Sequence, residues 1–408
     1  MKYVCRRDEC MPFAACVLLI VLLGAGPAVA DEGHAELDDL TPESTDDIDP
    51  GEEAPADDAP VDDQPDVADL TDLKLDELLE RDLGRATAAG IGPLAQTLER
   101  GQLQLDYSLE FDSRNTVLDG SEPVTASDVV TPESDGGYGF VLGDTSMQTV
   151  QHRINVMYAP IDRVTLVASL GWIDHTKEEM YRLGDLHDGR SDSFYVLTSQ
   201  GVVDPSFKAL VRLFSTDHHH LHVTVGSSFP LGSIDERGRD STRGSSETVL
   251  PYPMQIGSGT FDLVSGLTYR GVGEGVGWGI QAHGTIPLGA NEHGYAHGEM
   301  FEASAWGSAL WTDSLSSFLV VQGTVRRNLR GQDGRIRSQF SPQGNPDAQA
   351  ERSIYALLGL AIDGEADGPL EDLRMELFAG APLYRYRSGP QLATDVLAGF
   401  SLKYLFDF

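Results

Sequence analysis

Cysteine is nearly missing from this chain. The only three, Cys5, Cys10 and Cys16, fall at the very start of 408 residues. They sit in a stretch with the form of a secretory signal. Lys2, Arg6 and Arg7 make a basic beginning, 13–25 is an apolar run, and Ala28-Val29-Ala30 is a small-x-small cleavage site. The run is too short for a spanning helix. Residues 1–30 are therefore expected to be removed, with the mature chain starting at Asp31. A mature chain without cysteine has no disulfide, no thiolate nucleophile and no Cys-based metal site. Positive charge is also scarce. Lys and Arg number 29 against 64 Asp and Glu, a formal charge of −35. That excludes nucleic-acid binding through counterion release. No Gly-x-Ser-x-Gly elbow occurs, and the serines of 232–235 and 257–262 lie in Gly-Ser contexts common in loops. No enzyme and no cofactor are expected.

Histidine is the one metal-ligand type present in clusters. Asp217-His218-His219-His220 with His222 is dense, but it sits on a short connection and lacks the spacing of a closed site. His293 and His297 lie four apart, but the flanking glycines argue against the helix that would bring them together. No metal site is assigned.

What the chain does have is uneven charge and period-2 patterning. From 31 to 70 there are many Asp and Glu and no Lys or Arg, broken by Pro50, Pro55, Pro60 and Pro65. Such a segment cannot bury enough apolar surface to fold, so a disordered acidic periplasmic segment is expected. Within 71–100, Leu75, Leu78, Leu79 and Leu83 share a helical face behind Thr71. That spacing predicts a short amphipathic helix docked on a barrel mouth, followed by a linker.

From 101 to 408 the pattern is apolar-polar alternation between turns. Leu103, Leu105, Tyr107, Leu109 and Phe111 share one face, as do Leu166, Ala168, Leu170 and Trp172. The last segment, LATDVLAGFSLKYLFDF, sends Phe400, Tyr404, Phe406 and Phe408 to one side. It resembles the closing strand of bacterial outer-membrane barrels, whose terminal aromatic residues are read by the barrel-insertion machinery. The segments number about twelve, with ten to fourteen within the reading. Long connections at 112–149, 174–205, 230–260, 287–300, 326–352 and 382–391 alternate with short ones near Pro160, Asp217, Gly273, Asp313 and Gly364. This alternation predicts a transmembrane antiparallel β-barrel of the outer-membrane type, with both termini in the periplasm. Its outward aromatic residues suit interfacial girdles against outer-membrane lipid. The expected inward, lumen-facing set includes Arg153, Lys208, Arg212, Asp262, His283, Arg374 and Glu376. Phe318, Leu210 and Trp306 would plug the interior if they also point inward.

Several segments, NVMYAPIDRVTLVASLGWID (155–174), VVDPSFKALVRLF (202–214), SSFPLGSIDERG (227–238), LPYPMQIGSGTFDLVSGLTY (250–269) and GWGIQAHGTIPLG (277–289), together resemble the MetA-pathway phenol-degradation family of transporter-like outer-membrane proteins. The resemblance implies an outer-membrane channel that passes a small molecule, hydrophobic or aromatic among the candidates, and it carries no catalytic residue. The long loops 230–260 and 326–352 would fold over or into the mouth. The alternative is a closed structural or adhesive barrel whose outer loops bind a surface partner or metal.

Overall fold

The computed structural model describes residues 94–182, 192–239, 247–364 and 370–407. The expected signal peptide, acidic segment and amphipathic helix lie outside these residues, as does Phe408.

The chain builds one antiparallel sheet that closes on itself. In chain order its strands are β1 (Leu103–Gly120), β2 (Leu142–Ile161), β3 (Val164–Arg182), β4 (Asp192–Val202), β5 (Ser206–Ser215), β6 (His219–Ser228), β7 (Asp262–Gly273), β8 (Val276–Pro287), β9 (Met300–Thr312), β10 (Leu315–Arg326), β11 (Glu351–Asp363) and β12 (Leu373–Phe406). β4 and β5 lie end to end against β3 and make one passage between them. β12 makes two. Its first leg pairs with β11 from Arg374 to Arg387, and its second pairs with β1 from Arg387 to Phe406. The turn between the legs falls at Gly389, whose φ of 106° suits glycine. A ring of purely antiparallel neighbours needs an even number of passages, and the two legs supply the twelfth.

The alternation read from the sequence sets which face is which. Leu166, Leu170, Trp172, Leu263, Trp278, Leu319, Leu360 and Leu377 are exposed on the outside, and Phe207 and Leu358 keep 61% and 67% of their surface accessible. The inside collects Gln104, Asp106, Asn155, Thr165, His222, Thr224, Thr268, Gln281, Ser304, Glu376 and Lys403, all buried. Apolar-out and polar-in is inverted relative to a water-soluble sandwich, and it defines a closed barrel of the outer-membrane type. Closure satisfies each wall backbone group within the sheet, which hydrocarbon demands.

β11 departs from the apolar-polar alternation, being apolar on both faces. The structure explains this. Leu358 and Leu360 point outward, while Tyr355, Leu357 and Ala361 join an apolar cluster inside the barrel with Trp306, Phe318 and Val320.

The expected loop bounds need correcting at the long-loop end. β1 runs to Gly120, β2 begins at Leu142, β3 runs to Arg182, and the β12 legs pass straight through 382–391. These extensions rise past the apolar band, where neither face needs to be greasy, so alternation fades while the ladder continues. A bulge near Ser113 and Arg114 shifts the β1–β12 register. The Asp395 carboxylate accepts from the Asn115 and Thr116 backbone N–H groups at 2.6 and 3.0 Å, which satisfies donors the bulge frees.

A lysine at Leu358 would sit on the outer face well inside the wall. Leu358→Lys is expected to destabilise the folded barrel by about 2–4 kcal/mol, the cost of a midplane charge on a lipid face. Urea titration of the protein in bilayers checks this. A loss below about 0.5 kcal/mol would mean that Leu358 does not face hydrocarbon.

Candidate functional site: the lumen and its two closures

The interior is closed at the short-turn end by the chain itself. Residues 94–100 run inside the wall and turn into β1, where Gly101 N donates to Ala159 O at 2.9 Å. The expected amphipathic helix lies outside the described residues, and the residues that follow it, 94–100, enter the lumen. Leu98 packs with Met157, Ala159, Val167 and Leu210, and Ala95 packs with Trp306, Phe318, Tyr355 and Leu357. Trp306, Phe318 and Leu210 are inward and at most 5% exposed, so the bulky residues do fill this end. Extended backbone inside a lumen must find partners for its own polar groups. The wall provides them. Arg212 donates to Leu98 O and Thr97 Oγ1, both at 3.0 Å. Thr165 Oγ1 accepts from Leu98 N at 2.9 Å, and His222 Nε2 meets Leu94 O at 3.0 Å. Gln96 Nε2 donates to Gln104 Oε1 at 3.1 Å.

The long-loop end is closed by residues 327–350 with help from 229–239, 247–261 and 288–299. Two single-turn 3-10 segments, Pro342–Gly344 and Pro346–Ala348, are buried in the mouth. Gln391 on β12 donates to Pro342 O and Ala348 O, and Phe340 O accepts from Val141 N and Leu142 N. Beneath them Lys177, with no exposed surface, bonds Gln343 Oε1, the Glu179 carboxylate and Asp144 Oδ1, the last at 2.8 Å. A buried cation is tolerable only with such partners. Above, Tyr252 and Tyr295 meet edge to face at 5.0 Å beside Leu329 and Ile336. The Tyr252 hydroxyl accepts from Asp333 N at 3.0 Å. Arg335 ties the loops together through Asp333, Asp235 and Ile234 O. Its hydrogen bond is the main reason that Asp235 is held below the usual carboxylate range. Burial pushes Asp333 up, and Arg335 more than offsets it, so that carboxyl is lowered too. Carboxylates with depressed pKa values contribute to the cap above the ordinary carboxylate pKa, and the contribution fades as pH falls through the folded values.

The seven titratable residues expected inside do four different things. Arg374, Glu376 and two partners form a balanced network. Arg374 meets Asp363 at 3.0 Å and Glu376 at 2.9 Å, and Lys403 meets Glu376 at 2.9 Å, with Ser401 Oγ donating to Glu376 at 3.1 Å. Glu376 is on the first leg of β12, Lys403 and Ser401 on the second, and Asp363 on β11, so the network staples three adjacent passages. Arg212 anchors segment 94–100. Asp262 is held by Ser228 Oγ at 3.0 Å and Thr260 Oγ1 at 2.6 Å near the long-loop end. Arg153, Lys208 and His283 lie on the inner wall between the two closures. His283 is in contact with Gln281.

The histidines of 218–222 scatter. His219 stacks with Tyr269, His220 meets Ser215, and His222 turns inward to Leu94. His293 approaches Asp235 and Glu292 on the outside, with ligating atoms within 4.8 Å, but Arg335 already occupies Asp235. His297 packs on Tyr295 instead. Burial and the charge of Arg326 push its pKa down to about 4, so it is neutral at ordinary pH.

Sequence reading missed Lys177 and Gln343. His175, Lys177 and Glu179 do recur at every second position, a polar stripe that an extended β3 would have turned inward. Gln343 lies in a segment with no periodicity at all.

No family model matches the chain, and no curated protein matches it. Solved structures do. An outer-membrane channel from Pseudomonas putida F1 aligns with 78% of this chain and all of its own, at 13% identity and a TM-score of 0.49. The toluene transporter TodX of P. putida aligns with 81% of this chain and 98% of its own, at 11% identity and 0.41. The translocator domain of the autotransporter NalP from Neisseria meningitidis aligns with 76% and 90%, at 8% identity and 0.36. Likenesses of this size do not bear on what the chain carries.

Arg212 donates two charge-assisted bonds to segment 94–100, each worth roughly 1.5–3 kcal/mol. Arg212→Met should therefore raise the open fraction in planar-bilayer recordings by about tenfold or more, with folding checked by heat-modifiable gel migration. Recordings identical to those of the parent protein would show that Arg212 does not hold the segment in place.

Proposed function

We propose that this protein is a gated outer-membrane channel for a small molecule with substantial apolar surface. One observation carries the reading: the lumen is blocked at both ends by segments of the chain itself, 94–100 and 327–350, and not by the wall closing on itself. These segments are held by countable hydrogen bonds and can leave without breaking the barrel. Departure of segment 94–100 would uncover Trp306, Phe318, Tyr355 and Leu357, against which Ala95 packs, an apolar lining that suits an apolar permeant better than a hydrated ion. The resemblance of 155–174, 202–214 and 250–269 to transporter-like outer-membrane proteins points the same way. In this reading the short turns and both ends of the barrel-forming chain face the periplasm, and the long loops face outward.

The closed structural barrel is the second reading. It is favoured by the inward burial of Trp306, Phe318 and Leu210. Against it stand inner-wall polar atoms that lack hydrogen-bond partners, Asn155 Oδ1, Thr224 Oγ1 and Gln281 Oε1 among them. A wall packed for stability alone would have paired them.

Uptake by intact Gram-negative cells with and without the chain separates the two, because the lipopolysaccharide leaflet is the barrier that such a channel would bypass. Cells carrying the protein should take up radiolabelled toluene several-fold faster than cells lacking it. Equal rates at equal amounts of folded protein would leave the structural reading standing.

A further inference from the structure

On the inner wall Lys208 has an unusual setting. Its register neighbours are Val167 on β3 and Gly226 on β6, and Gly226 in turn faces Val264 on β7. Leu210, two residues along the same face of β5, is fully buried. A Cβ at Gly226 would come within 2.8 Å of Lys208 Cγ, so the lysine stem lies flat on that glycine. The charged groups that face Lys208 are Arg153 and His283, both basic. His283 likewise lies over a glycine, since a Cβ at Gly266 would meet its ring at 2.0 Å. Among the described residues no carboxylate comes within ion-pair distance of Lys208. Asp262, further up the same face of β7 than Val264, is already held by Ser228 and Thr260. Glu302 and Asp106 feel the charge of Arg153, but neither reaches Lys208.

The strong ion pairs of this lumen lie elsewhere, in the Arg374–Glu376–Lys403 staple and around Lys177. A cation on this inner wall, with only basic side chains facing it, is costly unless an anion visits it. Independently, Asn155 Oδ1, Thr224 Oγ1 and Gln281 Oε1, each on a side chain more than nine-tenths buried, lack partners on the same inner wall. They mark it as a surface built to meet polar atoms that the chain does not supply.

Resting on the channel reading, we infer that Lys208, with Arg153 and His283 beside it, binds the carboxylate of an apolar weak acid, whose body takes the place of Leu98 against Val167 and Leu210 when segment 94–100 leaves the lumen. The permeant class then includes aromatic or aliphatic monocarboxylates, which the site favours over neutral hydrocarbons of the same shape. Lys208 donates to the carboxylate. Arg153 raises the local positive potential, and neutral isosteres gain nothing from either effect.

The test is isothermal titration of the full refolded protein in detergent with benzoate and, separately, with its neutral counterpart benzyl alcohol. Benzoate should bind the tighter of the two. Lys208→Met should weaken benzoate about ten- to a hundredfold and leave benzyl alcohol unchanged. Lys208→Arg, which keeps the charge, should retain benzoate within a few-fold and shows that the position tolerates replacement. Equal affinity for both probes, or a Lys208→Met variant that binds benzoate as the parent does, overturns the inference. Toluene uptake by cells carrying the wild-type chain tests the channel reading separately. Positive uptake with no preference for benzoate would defeat the carboxylate site alone.

Discussion

Everything in this molecule follows from one requirement: in hydrocarbon, no backbone N–H or C=O in the wall can be left without a partner. The requirement forces the sheet to close, and closure of antiparallel strands forces an even number of passages. It falls hardest on β12, which must pair with β11 through one leg and with β1 through the other. The chain reinforces that seam. Asp363, Arg374, Glu376, Ser401 and Lys403 bridge three passages inside the wall, two cations against two carboxylates. Such a network is tolerable at low dielectric because its charges balance and its members share hydrogen bonds. It also places the last strand, with its outward Phe400, Tyr404 and Phe406, squarely against β1.

Once the wall is closed, the same rule applies inside it. Segment 94–100 is extended backbone in a confined lumen, so its polar groups go to Arg212, Thr165, His222 and Gln104. The loops at the other end bury Gln343, Gln349 and Gln391, whose amides bond backbone carbonyls or Lys177. Both closures are thus polar contacts laid over apolar packing. That combination holds a segment in place while leaving its departure cheap relative to opening the sheet, which would expose ladder groups to lipid. Release of these segments is therefore energetically distinct from unfolding.

The fold was legible in the sequence because the membrane imposes a two-residue period with opposite polarity on the two faces. Leu166, Leu170 and Trp172 against Thr165 and Ser169 show it in a single strand. Legibility ended where the membrane ended. The upper parts of β1, β2 and β3 stand beyond the apolar band, and so Lys177 and Glu179 were taken for loop. The inward direction of Arg212 could be read from alternation, but its partner could not, since Leu98 is 114 positions away and carries no pattern. The balanced pairing of Arg374 and Glu376 was likewise hidden. They were expected only to face the lumen, and the structure shows Asp363 and Lys403 balancing their charge. Lys208 is the reverse case, a residue whose charge the structure leaves uncompensated.

The measurement that bears most directly on this account is the conductance of the refolded parent protein in planar bilayers. A barrel closed at both ends by its own segments should insert, migrate as a heat-modifiable band, and show little or no steady current, with brief openings only. A large, steady ohmic conductance of the kind a water-filled porin gives would contradict it, because segments 94–100 and 327–350 could not then be occupying the lumen.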